Sequence, residues 1–337
     1  MTCLLKNDAK DIETNIENIK KQSWLTESQK WWPNYLFHYT DITNAVKILT
    51  LGKLLSRFEL ESNKTFTDIA SPDVISTTKD KWKKYVRLYF RPRTPTQYRN
   101  EGFRSKNELE LGGAHCPIPI YLIFDSKPIL TDIRTCFSDG NLGSPFSVVS
   151  ENSDFLLNLP FESIYHDKSL YGLNESEKSK IIYHRCAEVI MPTFLELTHL
   201  KIICCRSQAE YETLINTLPD MVLKKWIKKI SVDSKQLLFF SKWTFINKAD
   251  ITSKSIYFKF NPSISPGPFN AILEILEEKT KETYEWKDDA FNTSEIKNSI
   301  KFDLSKLKYP ESYIVTFYLD EHLTYKKKFS DKMELPF

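Results

Sequence analysis

The chain has 337 residues, of which 41% are hydrophobic, and this is enough to bury one large core or two modest ones. Its 47 basic and 44 acidic side chains leave a net charge of +3, so the molecule as a whole lacks the strong positive field of many polyanion-binding proteins. It has 8 glycines and neither a G-x-G-x-x-G nor a G-x-x-x-x-G-K-[ST] motif, which excludes the usual Rossmann and P-loop phosphate sites.

The six cysteines show no C-x-x-C pair, so we interpret them as buried thiols of a reducing cytosol and expect no metal. The polar segment 6–30 lacks the apolar core of a signal peptide. No stretch approaches the roughly 20 apolar residues that span a bilayer. We therefore expect a soluble, cytoplasmic protein without a membrane partner.

In chain order, the scattered Ile and Leu of residues 8–32 indicate a surface helix or a loosely docked arm. A β-strand is predicted at 35–39. A helix should follow it, beginning after Asp41, a good N-cap residue, and ending at Gly52, a good C-cap residue. The next elements are predicted from their apolar patterns: strands at 85–90, 118–124, 187–191 and 201–205, and a helix at 208–218.

Between 137 and 183 the sequence has few repeats of either period and contains the turn signal Asp139-Gly140-Asn141, so we expect a long functional loop. The pattern changes near Pro219. The elements expected beyond it are a basic helix at 224–229, β-like runs at 237–246, 255–260 and 313–319, a helix at 269–281 and a half-exposed strand at 299–304. The predicted domains are a helical arm (1–32), a main domain (33–219), and a smaller α+β or mainly β domain of unknown role (220–337).

Two strands have polar side chains that are candidates for chemistry. Glu188 has apolar neighbours on both sides, so its carboxylate faces either water or a pocket. His38 and Thr40 share one strand face and could hold a ribose hydroxyl or a carboxamide. The alternatives are an outward-facing glutamate, a histidine satisfied in the core and a helix-capping threonine.

The segment 81–106 has nine basic residues and a single acidic one, with six aromatic residues between them. Arginine forks bind phosphates and aromatic faces stack on unpaired bases, so this composition indicates contact with nucleic acid or a dinucleotide. An ordinary basic surface is the alternative. The candidate contact residues are Arg87, Arg91, Arg93 and Tyr98.

Four motifs occur in an order that resembles one family. They are His38-x-Thr40, Tyr85-Val86-x-x-Tyr89-Phe90-x-Pro92-Arg93-x-Pro95, Asp139-Gly140-Asn141 and Ala187-Glu188-Val189. Together they resemble DarT-type enzymes, bacterial toxins that ADP-ribosylate DNA bases from NAD. The resemblance covers about residues 33–215 and implies that 33–219 is an ADP-ribosyltransferase domain. The implied fold is a mixed α/β core of two twisted sheets around an NAD cleft.

The resemblance implies roles for matching positions. Glu188 is similar to the glutamate that organises NAD and the reactive centre. His38 and Thr40 are similar to contacts on the nicotinamide side. Tyr89 and Phe90 resemble an aromatic wall near the cofactor, and the stretch 139–183 resembles the loop that presents the substrate. Arg185 would help to anchor that loop or the substrate and is a further candidate for contact with nucleic acid. The implied partners are NAD as a substrate, single-stranded DNA or RNA, and a cognate antitoxin.

One departure from the family pattern leaves the target base open. Thymidine-modifying DarT enzymes resemble one another in an arginine upstream of the Tyr-Val strand, and the comparable region 73–79 contains no arginine. Guanine in DNA or a base in RNA therefore stays an alternative acceptor. Three further functions stay open, namely ADP-ribosylation of a protein, hydrolysis of NAD alone and non-catalytic binding of nucleic acid.

Overall fold

The computed structural model describes residues 4–63, 80–105, 115–294 and 298–331. The region 73–79, whose lack of arginine left the target base open, lies outside the described residues. The chain divides into two compact units, one formed by residues 1–99 and 121–203 and the other by 100–120 and 204–337. In the described part of the chain, no helix is long and apolar enough to cross a membrane.

The first unit alternates short helices and strands. Each element is counted in the unit that contains most of its residues, and in chain order the elements are α1 (Ala9–Lys20), β1 (Tyr35–Asp41), α2 (Ile42–Leu51), β2 (Lys53–Leu55), α3 (Arg57–Asn63), α4 (Asp80–Lys83), β3 (Tyr85–Tyr89), α5 (Pro95–Asn100), β4 (Pro119–Asp125), α6 (Ser126–Leu130), β5 (Cys136–Ser138), β6 (Val149–Ser150), α7 (Ser153–Leu157), α8 (Phe161–Ile164), α9 (Glu175–His184), β7 (Glu188–Pro192), β8 (Phe194–Glu196) and β9 (Leu200–Cys205).

Seven of these strands belong to one sheet, in the order β9-β4-β1-β3-β7-β5-β6. Strand β3 pairs antiparallel with β1 on one side and with β7 on the other. Strands β2 and β8 form a separate antiparallel pair. Side chains from β1, β3 and β7 therefore meet in the middle of the sheet, although their positions are far apart in the sequence.

Local signals in the first part of the chain are confirmed. The side chain of Asp41 accepts the backbone N–H of Thr43 at the start of α2, and Gly52 ends this helix with φ = 74°, where a side chain would be strained. The predicted N-terminal helix is present as α1, and Ile12, Ile16 and Ile19 on one of its faces are buried. The stretch 137–183 is less irregular than expected, since it contains β6 and three short helices.

The second unit is rich in β-strands. Its elements are α10 (Gln208–Ile215), α11 (Asp220–Trp226), β10 (Ile230–Val232), β11 (Ile246–Ile251), β12 (Ser255–Phe260), β13 (Phe269–Glu277), β14 (Thr283–Phe291), β15 (Ser299–Asp303), β16 (Ser312–Leu319) and β17 (His322–Ser330). Strands β11, β12 and β15 form one antiparallel sheet, and β14-β13-β16-β17 form another. Aromatic rings from both sheets share one core, in which Phe258 lies 5.2 Å from Phe317 and 5.1 Å from Tyr325 between ring centroids.

The mixed α/β class and the β-rich C-terminal region are confirmed, but three local predictions in the second unit need correction. The helix predicted at 269–281 is wrong. Its first nine residues form β13, which pairs with one strand on each edge. Alternate side chains of β13, from Phe269 to Glu277, are buried. Pairing on both edges outweighs the helix propensity of its Glu, Leu and Ala residues. The β-like run at 237–246 is irregular until β11 begins, and the basic helix ends at Trp226 before a single 3-10 turn.

Two buried carboxylates share one guanidinium in the second unit. Arg206 donates from Nε to Glu210 at 3.1 Å, and its Nη1 lies 3.6 Å from a carboxylate oxygen of Glu101. Burial raises the pKa of Glu210 to about 7, against the opposing effect of Arg206.

This carboxylate should make stability depend on pH. The folded pKa of Glu210 lies above its ordinary value of 4.5, so the folded state binds the proton more tightly than the unfolded chain does. The resulting stabilisation is complete below about pH 4.5 and is lost as the pH rises through about 7. We expect the free energy of unfolding to fall between pH 5 and pH 8, and Glu210→Gln to remove this contribution. Urea unfolding of both proteins at the two pH values measures the effect, and equal pH dependence in the two proteins would contradict it.

Candidate active site

The centre of the site is an ion pair between neighbouring strands. In the β3–β7 pair, Tyr89 lies directly opposite Glu188, and Arg87 lies two residues before Tyr89 on the same face. This diagonal position brings the guanidinium to the carboxylate, with Nε 2.5 Å from Oε2 and Nη2 2.9 Å from Oε1. Glu188 is 1% exposed, so its carboxylate is turned into the protein and the outward-facing alternative is excluded.

The start of the 139–183 stretch also holds Glu188. The backbone N–H of Glu188 donates to Ser138 Oγ at 2.9 Å, and the Ser138 hydroxyl donates to the Gly140 carbonyl at 2.9 Å. The backbone N–H of Leu142 lies near the Glu188 carboxylate and favours its charged form. Sequence analysis missed Ser138, for which the only signal was its place immediately before the Asp139-Gly140 turn.

Burial and the ion pair act in opposite directions on the protonation of Glu188. Burial raises the pKa of Glu188, while Arg87 and the Leu142 N–H oppose the rise. Burial alone would lower the pKa of Arg87, but the Glu188 carboxylate raises it above the ordinary value. A carboxylate has about four acceptor positions, and the two arginine bonds occupy two of them.

His38 contacts the backbone of the same arginine. Its Nδ1 lies 3.1 Å from the carbonyl oxygen of Arg87, and a carbonyl can only accept, so Nδ1 carries the proton. Burial lowers the pKa of His38 to about 4, which keeps the ring neutral near pH 7 and leaves Nε2 as an acceptor. Thr40, two residues further along β1, is buried.

The two aromatic candidates, Tyr89 at the end of β3 and Phe90 directly after it, point in different directions. Tyr89 faces Glu188, and burial together with that carboxylate raises the pKa of the phenol, so its hydroxyl stays protonated. Phe90 points the other way, where its ring packs edge-to-face on Phe161 with 5.8 Å between centroids. The structure therefore brings Tyr89, and not Phe90, to the catalytic candidate.

Three of the arginines predicted to contact nucleic acid converge on residues 166–168. The Arg91 side chain is 1% exposed and donates to the His166 carbonyl and the Asp167 carboxylate. Burial lowers the pKa of Arg91 to about 10. Arg93 reaches the second oxygen of Asp167 at 3.3 Å, and Arg185 donates to the His166 carbonyl at 2.7 Å. The arrangement places Arg91 inside the protein and gives all three arginines a part in holding this segment.

The rest of the basic segment is dispersed. Lys83 pairs with Asp80, Lys81 lies over the ring of Trp82, and Tyr98 on α5 is 42% exposed. Lys106 lies outside the described residues. Because Arg87 and Arg91 are engaged within the protein, the segment does not form one continuous basic surface.

Gly140 lies against the ring of Tyr183, whose hydroxyl donates to Asp139 Oδ1 at 2.6 Å. A Cβ at Gly140 would lie 2.4 Å from the Tyr183 ring. We expect Gly140→Ala to displace the ring and lower the free energy of unfolding by about 1–3 kcal/mol. Thermal unfolding of Gly140→Ala, Tyr183→Ala and the double variant measures it. The double variant should lose less than the sum of the single variants, because the clash is absent without the ring. Additive losses would contradict the packing argument.

Among the described residues, no group of His, Cys, Asp and Glu side chains could hold a metal ion. The five described cysteines are free thiols. Four of them are buried, and Cys136 is half-buried.

The fold and the buried carboxylate agree with an ADP-ribosyltransferase, the class implied by the sequence resemblance. A family model described as "ssDNA thymidine ADP-ribosyltransferase, DarT" matches residues 37–240, which is more than half of the chain. The chain belongs to the DarT family. The resemblance and the enzyme class are thus confirmed. The family description gives single-stranded DNA as the acceptor, and it supports neither RNA modification nor a non-catalytic binding role.

Solved structures with a similar chain trace include two of DarT from Thermus sp. 2.9. The complex with ADP-ribosylated ssDNA is 19% identical with a TM-score of 0.46, covering 62% of this chain and 97% of that one. The complex with NAD+ is 18% identical with a TM-score of 0.45, covering 62% and 98%. Thermosipho africanus DarTG in complex with ADP-ribose is 16% identical with a TM-score of 0.44, covering 66% and 54%. A comparison with curated protein sequences gave no match.

Proposed function

We propose that this enzyme transfers ADP-ribose from NAD to the thymine base of single-stranded DNA, with Glu188 as the catalytic carboxylate. The observation that carries the proposal is the geometry of Glu188. It is a buried carboxylate within the family match, held in one orientation by two hydrogen bonds from Arg87, with acceptor positions left over.

The chemistry suits such a carboxylate. Cleavage of the bond between nicotinamide and ribose passes through an oxocarbenium-like ribose, as in glycoside hydrolysis, and nicotinamide leaves with the electron pair of the broken bond. One remaining acceptor position of Glu188 takes a hydrogen bond from a ribose hydroxyl, and the negative charge of the carboxylate stabilises the developing cation. The thymine ring nitrogen that carries a proton then attacks the anomeric carbon, and Glu188 accepts this proton.

The neighbouring side chains fit supporting roles. Neutral His38 offers Nε2 as an acceptor for a carboxamide or ribose donor of NAD, and Thr40 lies on the same strand. Tyr89 supplies a protonated hydroxyl and an aromatic face opposite Glu188. Arg87 acts as a positioning residue, since its guanidinium holds Glu188 both in place and in the charged form.

Thymine is favoured over guanine by the family description alone. The region that lacks an arginine at 73–79 lies outside the described residues, but Arg87 places a guanidinium beside the catalytic carboxylate. Arg87 therefore supplies a basic group at the reactive centre, although the upstream arginine is missing.

The test uses labelled NAD and four single-stranded DNA oligonucleotides, each with one T, G, C or A in a background of abasic spacers. The matching duplexes and an RNA oligonucleotide with one U are also included. We expect label on the single-stranded T oligonucleotide and little on its duplex, because a paired base cannot reach the centre. Label on the G oligonucleotide alone would replace thymine by guanine as the acceptor. Label on none of the DNA molecules would overturn the proposal.

We further propose a neutralising antitoxin as a protein partner, because modification of DNA harms the cell that makes the enzyme. We also propose that the enzyme is located in the cytoplasm. The domain limits 1–32, 33–219 and 220–337 stay part of this proposal, with no role assigned to the last of them.

A further inference from the structure

The loop 139–148 is closed and ordered by its own hydrogen bonds. At its base, the backbone N–H of Asp139 donates to the Val148 carbonyl at 3.3 Å, and the Val148 N–H donates to Asp139 Oδ1 at 3.1 Å. Within it, the backbone N–H of Ser144 donates to the Asn141 carbonyl at 2.9 Å, and the backbone N–H of Gly143 donates to Asn141 Oδ1 at 2.9 Å. The loop therefore has a defined shape without help from a ligand.

Helix α9 fixes the base of the loop. Tyr183 donates its hydroxyl to Asp139 Oδ1 at 2.6 Å, and the ring of His184 lies 2.6 Å from the Asp139 carbonyl. Leu142, in the middle of the loop, is buried, and its backbone N–H lies near the Glu188 carboxylate. Ser138, directly before the loop, accepts the backbone N–H of Glu188 at 2.9 Å. The loop therefore lies beside the catalytic residue.

At the tip of this ordered loop, Phe146 is 84% exposed. A single exposed phenylalanine is common on a protein surface, but this one is held outward by an ordered backbone that contacts the catalytic residue. Its backbone N–H donates to Ser144 Oγ at 3.3 Å, and Pro145 restricts the residue before it. Phe146 is four positions after Leu142, so the two Cα atoms are at most about 14 Å apart.

We infer that Phe146 is a base-stacking residue that holds a neighbouring nucleotide of the single-stranded DNA while the target base is at Glu188. This inference rests on the proposed function and adds a DNA contact to it. An aromatic face stacks on any base, so the stacked base belongs to a nucleotide near the modified one in the strand. The stack positions the strand and does not select the target base.

The test compares Phe146→Ala, Phe146→Leu and Phe146→Trp with the wild-type enzyme, on an oligonucleotide that the wild-type enzyme modifies. Stacking on one base predicts that Phe146→Ala raises KM for DNA by about 5- to 150-fold. Phe146→Trp should keep a KM near the wild-type value because it keeps an aromatic face, and Phe146→Leu should resemble Phe146→Ala. KM for NAD and the thermal midpoint should not change.

Fluorescence locates the stacked base. We expect 2-aminopurine, placed in turn at each of the four positions on either side of the target, to change its emission on binding at one position, and Phe146→Ala to remove that change. Phe58→Ala is the matched control, because it removes a phenylalanine that is 51% exposed on α3. Two results would overturn the inference. One is an equal KM for DNA in Phe146→Ala and Phe58→Ala, and the other is an intermediate KM for Phe146→Leu with no 2-aminopurine response. A wild-type enzyme that labels no DNA would instead remove the proposed function on which the inference rests.

Discussion

Replacing Glu188 by glutamine will lower kcat/KM for ADP-ribosyl transfer by about 10³- to 10⁴-fold. Glutamine keeps the shape of the side chain and one carbonyl acceptor, but it has neither the negative charge that stabilises the ribosyl cation nor a site for the proton of the attacking base. NAD should still bind, because the contacts assigned to His38 and Tyr89 are unaffected. Single-turnover measurement with labelled NAD separates the lost chemical step from any change in binding.

The second unit provides a control for this substitution. Glu210 is also a fully buried glutamate that is hydrogen-bonded to an arginine, here Arg206. Glu210→Gln changes the same atoms in a similar setting, so it should alter stability while leaving kcat/KM within a few-fold of wild type. A Glu188→Gln variant that kept near-normal transfer would remove Glu188 from the catalytic role.

Replacing Arg87 by alanine will move the acid limb of the kcat/KM profile to higher pH. Burial raises the pKa of Glu188 and Arg87 opposes this rise, so the pKa rises further without the guanidinium and less of the carboxylate is charged at pH 7. Removing one partner of a buried pair costs about 3–5 kcal/mol. Since Arg87 is 29% exposed, solvent screens part of this cost, and we expect kcat/KM to fall by about 10- to 100-fold at pH 7 and to recover partly by pH 9.

The control is an arginine of similar exposure that contacts another carboxylate. Arg93 is 32% exposed and pairs with Asp167, so Arg93→Ala should keep the wild-type acid limb whatever its effect on KM for DNA. Arg87→Lys should restore part of the profile, because it returns one positive charge without the two-point contact. An unchanged acid limb in Arg87→Ala would show that Arg87 does not control the protonation of Glu188.

The local parts of the site could be predicted because short segments determine them. The apolar run around Glu188, the N-cap at Asp41 and the Asp139-Gly140 turn each depend on neighbouring residues. The helix predicted at 269–281 failed for the opposite reason, since its apolar residues also suit a strand and the choice was made by pairing with β14 and β16.

The roles of the arginines could not be predicted from composition. In the sequence, Arg87, Arg91 and Arg93 form a basic run that suits phosphate binding. In the structure, alternation along β3 turns Arg87 toward Glu188, while Arg91 is buried against residues 166–168. A charge pattern shows which basic side chains the segment contains, but it does not show which of them form ion pairs or hydrogen bonds inside the protein.

The sequence by itself determined the family, the order of the strands that contain the motifs, and Glu188 as the candidate carboxylate. Only the tertiary structure decided that Glu188 is buried, that two hydrogen bonds from Arg87 hold its carboxylate, and that Ser138 fixes its backbone. The physical reason is distance along the chain. Arg87 and Glu188 are separated by 101 positions, and no local pattern can encode a contact that exists only because antiparallel β3 and β7 pair in one register.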